Sequence, residues 1–122
     1  MKLFETFQEI LLERADRNKL MEAIRNKNVC RIYYEGDTTV VKGLRVIEPV
    51  CLGESKRNNL VVRAWQRVGV SDTPDNIPGW RMFRLDRIKT FVPLEETFNE
   101  PKPNFNPNGD KDMIKIYEIA SF

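Results

Sequence analysis

The stretch Gly79-Trp80-Arg81-Met82-Phe83-Arg84-Leu85-Asp86-Arg87-Ile88 sets how this chain is read. Apolar and basic residues alternate along it, as in a strand with one buried face, where successive side chains point to opposite sides. Asp86-Arg87 then makes a tight turn, and Ile88–Leu94 continues as a further strand. Arg81, Arg84 and Arg87 beside aromatic residues suit a flat, anionic partner, because a guanidinium offers both a fixed donor fork and a face that stacks. This is binding chemistry and carries no catalytic signature.

Before it in the chain, Leu60–Arg67 is the cleanest strand: Leu60, Val62 and Ala64 alternate with Val61, Arg63, Trp65 and Arg67. Gly69–Gly79 holds Pro74 and Pro78 among polar residues and reads as a loop. At Val29 the apolar period changes to two, setting Cys30, Ile32 and Tyr34 against Arg31 and Tyr33. Glu35-Gly36-Asp37 supplies turn chemistry for a hairpin into Thr38–Ile47, which Glu48-Pro49 is expected to close. Val50-Cys51-Leu52 then reads as a separate short strand ending at Gly53.

The N-terminal 28 residues are helical in pattern. Leu3, Phe4, Phe7, Ile10 and Leu11 form one stripe; Asp16 caps a second stretch burying Leu20, Met21, Ala23 and Ile24, with its stop at Asn26-Lys27-Asn28. One bent helix and a helical hairpin both fit. Five or so short strands after this element argue for an α+β, mainly β fold, with an SH3-like small β-barrel fitting the count best. The tail is interrupted by Pro101, Pro103 and Pro107, yet Met113–Ile119 suits an edge strand or a short helix. It reads as an ordered strap lying over the domain or onto a partner. The expected organisation is a helical element over 1–28, the barrel over 29–98 and an extension over 99–122.

A chain of 122 residues can bury a core without metals or disulfides. Its net charge of +2 hides an uneven distribution. Residues 29–94 carry eleven basic against seven acidic side chains, eight of the basic ones arginine, whereas residues 95–122 carry three against six. With no histidine and only Cys30 and Cys51, a tetrahedral zinc site is excluded, and no cofactor is expected. Both thiols are expected to be reduced, and Cys30 to be a small buried hydrophobe. No apolar run approaches the roughly 20 residues that span a bilayer, and acidic residues follow Met1 too closely for a secretion signal. A cytoplasmic setting follows as the expectation. Without histidine, a Gly-rich phosphate loop or a serine in a nucleophile elbow, the chain is read as a non-enzyme. Asn106–Asp112 has the oxygen density of a calcium loop but not its spacing, so a turn is expected.

Leu20-Met21-Glu22-Ala23-Ile24 leading into Val29–Tyr34, then Arg45-Val46-Ile47-Glu48-Pro49, Leu52-Gly53, Leu60–Trp65 and Phe83-Arg84-Leu85-Asp86-Arg87-Ile88 together resemble the WYL domain family over about residues 20–98. The name-giving Trp-Tyr-Leu triplet is absent; Leu60-Val61-Val62 stands there, with Trp65 following in the same strand. The resemblance implies a divergent, stand-alone binding module of bacterial or phage origin, without the winged-helix domain that usually accompanies this family. It implies binding of single-stranded nucleic acid or a nucleotide-like anion through barrel arginines. By motif position these are Arg63, Arg84 and Arg87, with Arg45 and Arg81 as outer candidates. Trp65 shares a face with Arg63 and Arg67; packing on the core is the simpler role for it, with base stacking the alternative. Asp86 is expected to pair with Arg84 or Arg87 or to cap their turn, and Glu48 to hold Arg45 or Arg63. The rival reading is a protein–protein or assembly module, including a homo-oligomer built through edge strands and the N-terminal helix.

Overall fold

Asp16, itself in an extended conformation, caps the helix that follows it. Its carboxylate accepts the backbone N–H of Lys19 at 2.8 Å, the N-cap geometry that satisfies an otherwise orphaned donor. Helix α1 runs Arg17–Asn26, and Lys27 closes it in the left-handed conformation, φ 55°, returning its N–H to the carbonyls of Ala23 and Ile24. The computed structural model describes residues 16–35 and 42–122. The apolar stripe of residues 3–11, and with it the choice between one bent helix and a hairpin, lies outside the described residues, as do the turn at 36–37 and the strand start at 38.

Six antiparallel strands follow: β1 (Asn28–Tyr34), β2 (Gly43–Ser55), β3 (Leu60–Gly69), β4 (Gly79–Arg84), β5 (Ile88–Thr97) and β6 (Met113–Ile119). The ladder runs β4-β3-β2-β1-β5, and β6 joins β2 off that path. A 3-10 turn, Leu85–Arg87, separates β4 from β5. Among the described residues the architecture is therefore mainly β with one helix before the strands, built on an open antiparallel sheet, and no β4–β5 pairing occurs.

The expected break at Glu48-Pro49 does not end a strand. β2 runs unbroken from Gly43 to Ser55, and the proline is accommodated by a slip in the β2–β3 register between Pro49 and Cys51. An irregularity of this kind takes up a residue that cannot donate to the ladder and bends the strand. The bend divides one edge of β2 between two partners. Gly43–Ile47 pairs with β1, whereas Cys51–Ser55 pairs with β6. The tail segment thus resolves as a strand, and β3 and β5 each run further than their apolar patterns predict, to Gly69 and Thr97.

The core lies between the inner sheet face and α1. Leu20, Ala23 and Ile24 of the helix meet Cys30, Ile32, Ile47, Leu52, Val62, Phe83 and Phe91. Both cysteines are free and buried, and burial pushes each thiol up to about 12. The helix is also tied to the last strand, with Arg25 on Glu118 at 2.8 Å and the Arg17 guanidinium 3.7 Å above the Tyr117 ring. No helix among the described residues is long and apolar enough to cross a membrane.

Gly53 is the close-approach point that admits β6: a Cβ there would run into the Lys115 carbonyl and the Met113 sulfur. Gly53→Ala is expected to cost about 1–3 kcal/mol by overpacking. Hydrogen exchange should show selective loss of protection over Ile116–Ile119, with β1 and β5 unaffected.

Candidate functional site

The β3–β4 register puts Trp65 opposite Trp80, Arg63 opposite Met82 and Val61 opposite Arg84. Val62, Ala64 and Gln66 point into the core, so Val61, Arg63, Trp65 and Arg67 share the outer face by the two-residue period. The outer face of this pair therefore carries Arg63, Trp65, Arg67, Trp80 and Arg84 as a contiguous row of basic and aromatic groups. Trp65 and Trp80 meet edge to face, with centroids 5.3 Å apart and planes at 85°, the arrangement ring quadrupoles favour.

The two remaining barrel candidates from β2 and β4 lie elsewhere. Arg45 is 2% exposed, on the inner side, where it reaches Gln66 at 3.3 Å and stands 5.2 Å from the Tyr34 ring and 5.4 Å from Phe83. Burial is the main cause that lowers its pKa; the Asp72 carboxylate opposes the shift and the Arg81 guanidinium adds to it. Arg81 stands opposite inward-facing Ala64 and binds the loop before β4, with bonds to Thr73 Oγ1 at 2.7 Å and Ser71 Oγ at 3.1 Å. It organises that loop and does not join the outer row. Arg87, half-buried in the 3-10 turn, gives its carbonyl to the Glu35 N–H at 2.9 Å. Arg84 grips Asp86 with Nε at 3.1 Å and Nη2 at 2.7 Å, the local pairing the sequence predicts.

The outer row is crossed by residues 102–112 of the same chain. Lys102 Nζ binds Glu48 at 3.1 Å, and the Trp80 indole N–H donates to the Pro103 carbonyl at 2.7 Å. Arg63 then takes Asp110 as a fork, Nε to Oδ2 at 2.7 Å and Nη2 to Oδ1 at 3.2 Å, and reaches Asp112 at 2.8 Å. Beneath this crossing lies a cavity of about 480 Å³, walled in part by Val50, Cys51, Arg63, Trp80, Phe105 and Asp110. Asn106–Asp112 forms turns, with Asn106 Oδ1 accepting the Asn108 N–H and Asp110 Oδ1 the Asp112 N–H.

Glu48 holds neither Arg45 nor Arg63. Its carboxylate, 1% exposed, binds Arg67 at 2.6 Å and Lys102. For Arg45 the register explains this, since Glu48 lies opposite outward-facing Trp65 while Arg45 lies on the inner face; Arg63 shares the outer face but is taken by Asp110 and Asp112. Arg67 also reaches Glu96. The pairings of Arg63 and Glu48 with residues far along the chain are what sequence reasoning missed. The charge asymmetry between an arginine-rich centre and an acidic tail was the available signal, but it names no pair.

Local fields follow from these contacts. Burial alone would raise the Asp110 carboxyl, but the bonds from Arg63 and from the Asp112 N–H outweigh it and hold the group below its ordinary value. Burial would lower Arg63, and its bonds to Asp110 and Asp112 reverse the sign, so its pKa is raised. No group of three or more metal-ligating side chains occurs among the described residues.

The chain belongs to the WYL domain family, whose model matches residues 17–93. A solved structure of the Proteasome accessory factor B/C (PafBC) of Arthrobacter aurescens is similar, with a TM-score of 0.59 and 23% identity over 79% of this chain. That likeness shows a shared fold. The chain spans 14% of the length of that protein. No curated protein matches it.

Because Asp110 titrates lower in the folded chain than in the unfolded one, its pairing stabilises fully above the unfolded value of 3.8 and is lost as pH falls through the lower folded value. Urea unfolding at neutral pH should place the native chain about 1–2 kcal/mol above Asp110→Asn, the scale of a charge-assisted hydrogen bond. The gap should shrink steadily below about pH 4.

Proposed function

We propose that this chain is a non-catalytic regulatory binding module that takes single-stranded nucleic acid, or a nucleotide-like anion, on the outer face of β3 and β4. The observation that carries this reading is the row Arg63, Trp65, Arg67, Trp80 and Arg84 on one sheet face. Guanidinium forks meet phosphate oxygens two at a time, and tryptophan faces stack on bases of any sequence, a contact worth about 1–3 kcal/mol per base. Arg63 and Arg84 are the phosphate contacts, Arg87 extends the basic track past the turn, and Trp65 with Trp80 forms the stacking platform. Arg81 and Arg45 act through the loop and the core that hold this face. We read the open ladder as an SH3-like small barrel, with the turn Leu85–Arg87 bringing β5 round toward β4. The module works in the cytoplasm, fused to or docked on a larger protein that converts binding into regulation.

A second reading rests on a separate observation. β6 is a short strand with Ile114 60% and Ile116 37% exposed. Apolar residues on such a strand suit pairing with a neighbouring chain, which makes assembly the alternative role.

Fluorescence anisotropy of labelled single- and double-stranded oligonucleotides across a salt series separates the two. The module reading expects preference for the single strand and affinity that falls steeply with salt as phosphate contacts release counterions. Arg63→Ala/Arg84→Ala, folded by circular dichroism, should flatten the salt slope by about two contacts. Absence of binding at the lowest salt, together with self-association by sedimentation that Ile114→Lys abolishes, would replace it with the assembly reading.

A further inference from the structure

The strap does more than cover the sheet. Asp110 presents both carboxylate oxygens to Nε and Nη2 of Arg63, and Asp112 adds a third oxygen at 2.8 Å. This is the fork-on-fork geometry in which an arginine grips a phosphate. Three features set the turn apart from ordinary packing. Its residues 106–108, 111 and 112 are exposed, so little apolar surface holds it down. Its residues Asn106, Gly109, Asp110, Lys111 and Asp112 line the cavity of about 480 Å³ together with Arg63 of β3. It is anchored on both sides, by the bond from Trp80 to Pro103 before it and by β6 after it, so it can leave Arg63 without the tail detaching.

We propose that the acidic turn Asp110–Asp112 is a built-in surrogate for the ligand's phosphate, and that an anionic ligand reaches Arg63 by displacing it. The inference rests on the binding role proposed above and adds its regulation. Exchange of one bidentate oxyanion for another keeps the guanidinium satisfied throughout, so the cost of opening is confined to the strap's own ordering. Displacement also uncovers Trp80 and Phe105, giving the stacking wall beside the phosphate position. The carboxylates then select against weak anions, because a ligand must replace the bonds that Asp110 and Asp112 make to Arg63 before it gains anything. A ligand that also reaches Arg84 gains beyond that exchange.

The test measures anisotropy of a labelled oligothymidylate at one fixed salt concentration. It compares the native chain, Asp110→Asn/Asp112→Asn, and a charge-matched control, Glu22→Gln/Asp75→Asn, whose two acids are exposed, one on α1 and the other in the loop before β4. The Asp110→Asn change keeps a side-chain oxygen to accept the backbone N–H of residue 112, so the turn survives it. The strap variant should bind about tenfold more tightly than the native chain, within the usual range of coupling between sites. The control should gain only the small increment due to net charge, and adding Arg63→Ala to the strap variant should abolish the excess. A strap variant no tighter than the control, or an excess that survives Arg63→Ala, overturns the surrogate role while leaving the binding reading intact. Binding by none of the chains, including the strap variant, overturns both. If the double variant does not fold, Asp112→Asn alone serves, since its carboxylate is 52% exposed and makes one bond to Arg63.

Discussion

The bend in β2 governs where every later segment of the chain can lie. One strand edge serves β1 up to Ile47 and β6 from Cys51, and Glu48, Pro49 and Val50 fill the gap between them. Pro49 cannot donate to a ladder, so a gap between partners, combined with the slip against β3, is where a proline fits a long strand. The Val50 carbonyl, freed from β1, is taken by the Ala120 N–H at 2.7 Å, which fixes the end of the tail. β1 begins at Asn28, which stands level with Pro49 in this register, so the edge of β2 beyond the proline is open to β6. That pairing anchors the strap on its far side.

Charge placement follows from the same geometry. Glu48 sits in the bend, buried, and its two oxygens draw Arg67 from β3 and Lys102 from the strap. A buried carboxylate is costly unless both oxygens are met, so this group fixes where the strap begins its crossing. Arg63, further back along β3, fixes where it ends. The two contacts are complementary: a carboxylate on the sheet holds a cation of the strap, and a cation on the sheet holds carboxylates of the strap. Exposed ion pairs contribute little by themselves, but Asp110 is 8% and Arg63 21% exposed, where screening is weaker.

The arginines divide into distinct roles once their surroundings are compared. Arg45 fills the core beside Tyr34 and Phe83, and Arg81 ties down the loop carrying Ser71 and Thr73. Arg63 and Arg84 meet carboxylates in forked geometry on the outer face, Arg63 with distant Asp110 and Arg84 with neighbouring Asp86. Composition treats all four alike, because a guanidinium has the same fork whether it closes a core, a loop or a ligand site. The difference lies in which side of the pleat each occupies, and for Arg81 and Arg84 that difference follows from one odd step in sequence spacing.

Elements whose signals are local were legible before any fold was known. The Asp16 cap, the helical stripe through Ile24, the period of two in β1 and β3 and the Arg84–Asp86 pair all depend on neighbours within a few residues. So did the shared outer face of Arg63, Trp65 and Arg67, which follows from the pleat alone. The continuity of β2 through Pro49 was not legible, since a proline reads as a stop until a second partner strand is seen to relieve it. The segment Met113–Ile119 was legible as strand or short helix, but its pairing with β2 was not, because that edge is supplied by residues far earlier in the chain. The same holds for the partner of Arg63, which is Asp110, and for that of Glu48, which is Arg67. Ion pairing has no periodicity to read: any of the carboxylates of the tail satisfies the charge, and only the path of the folded chain brings one of them within 2.7 Å.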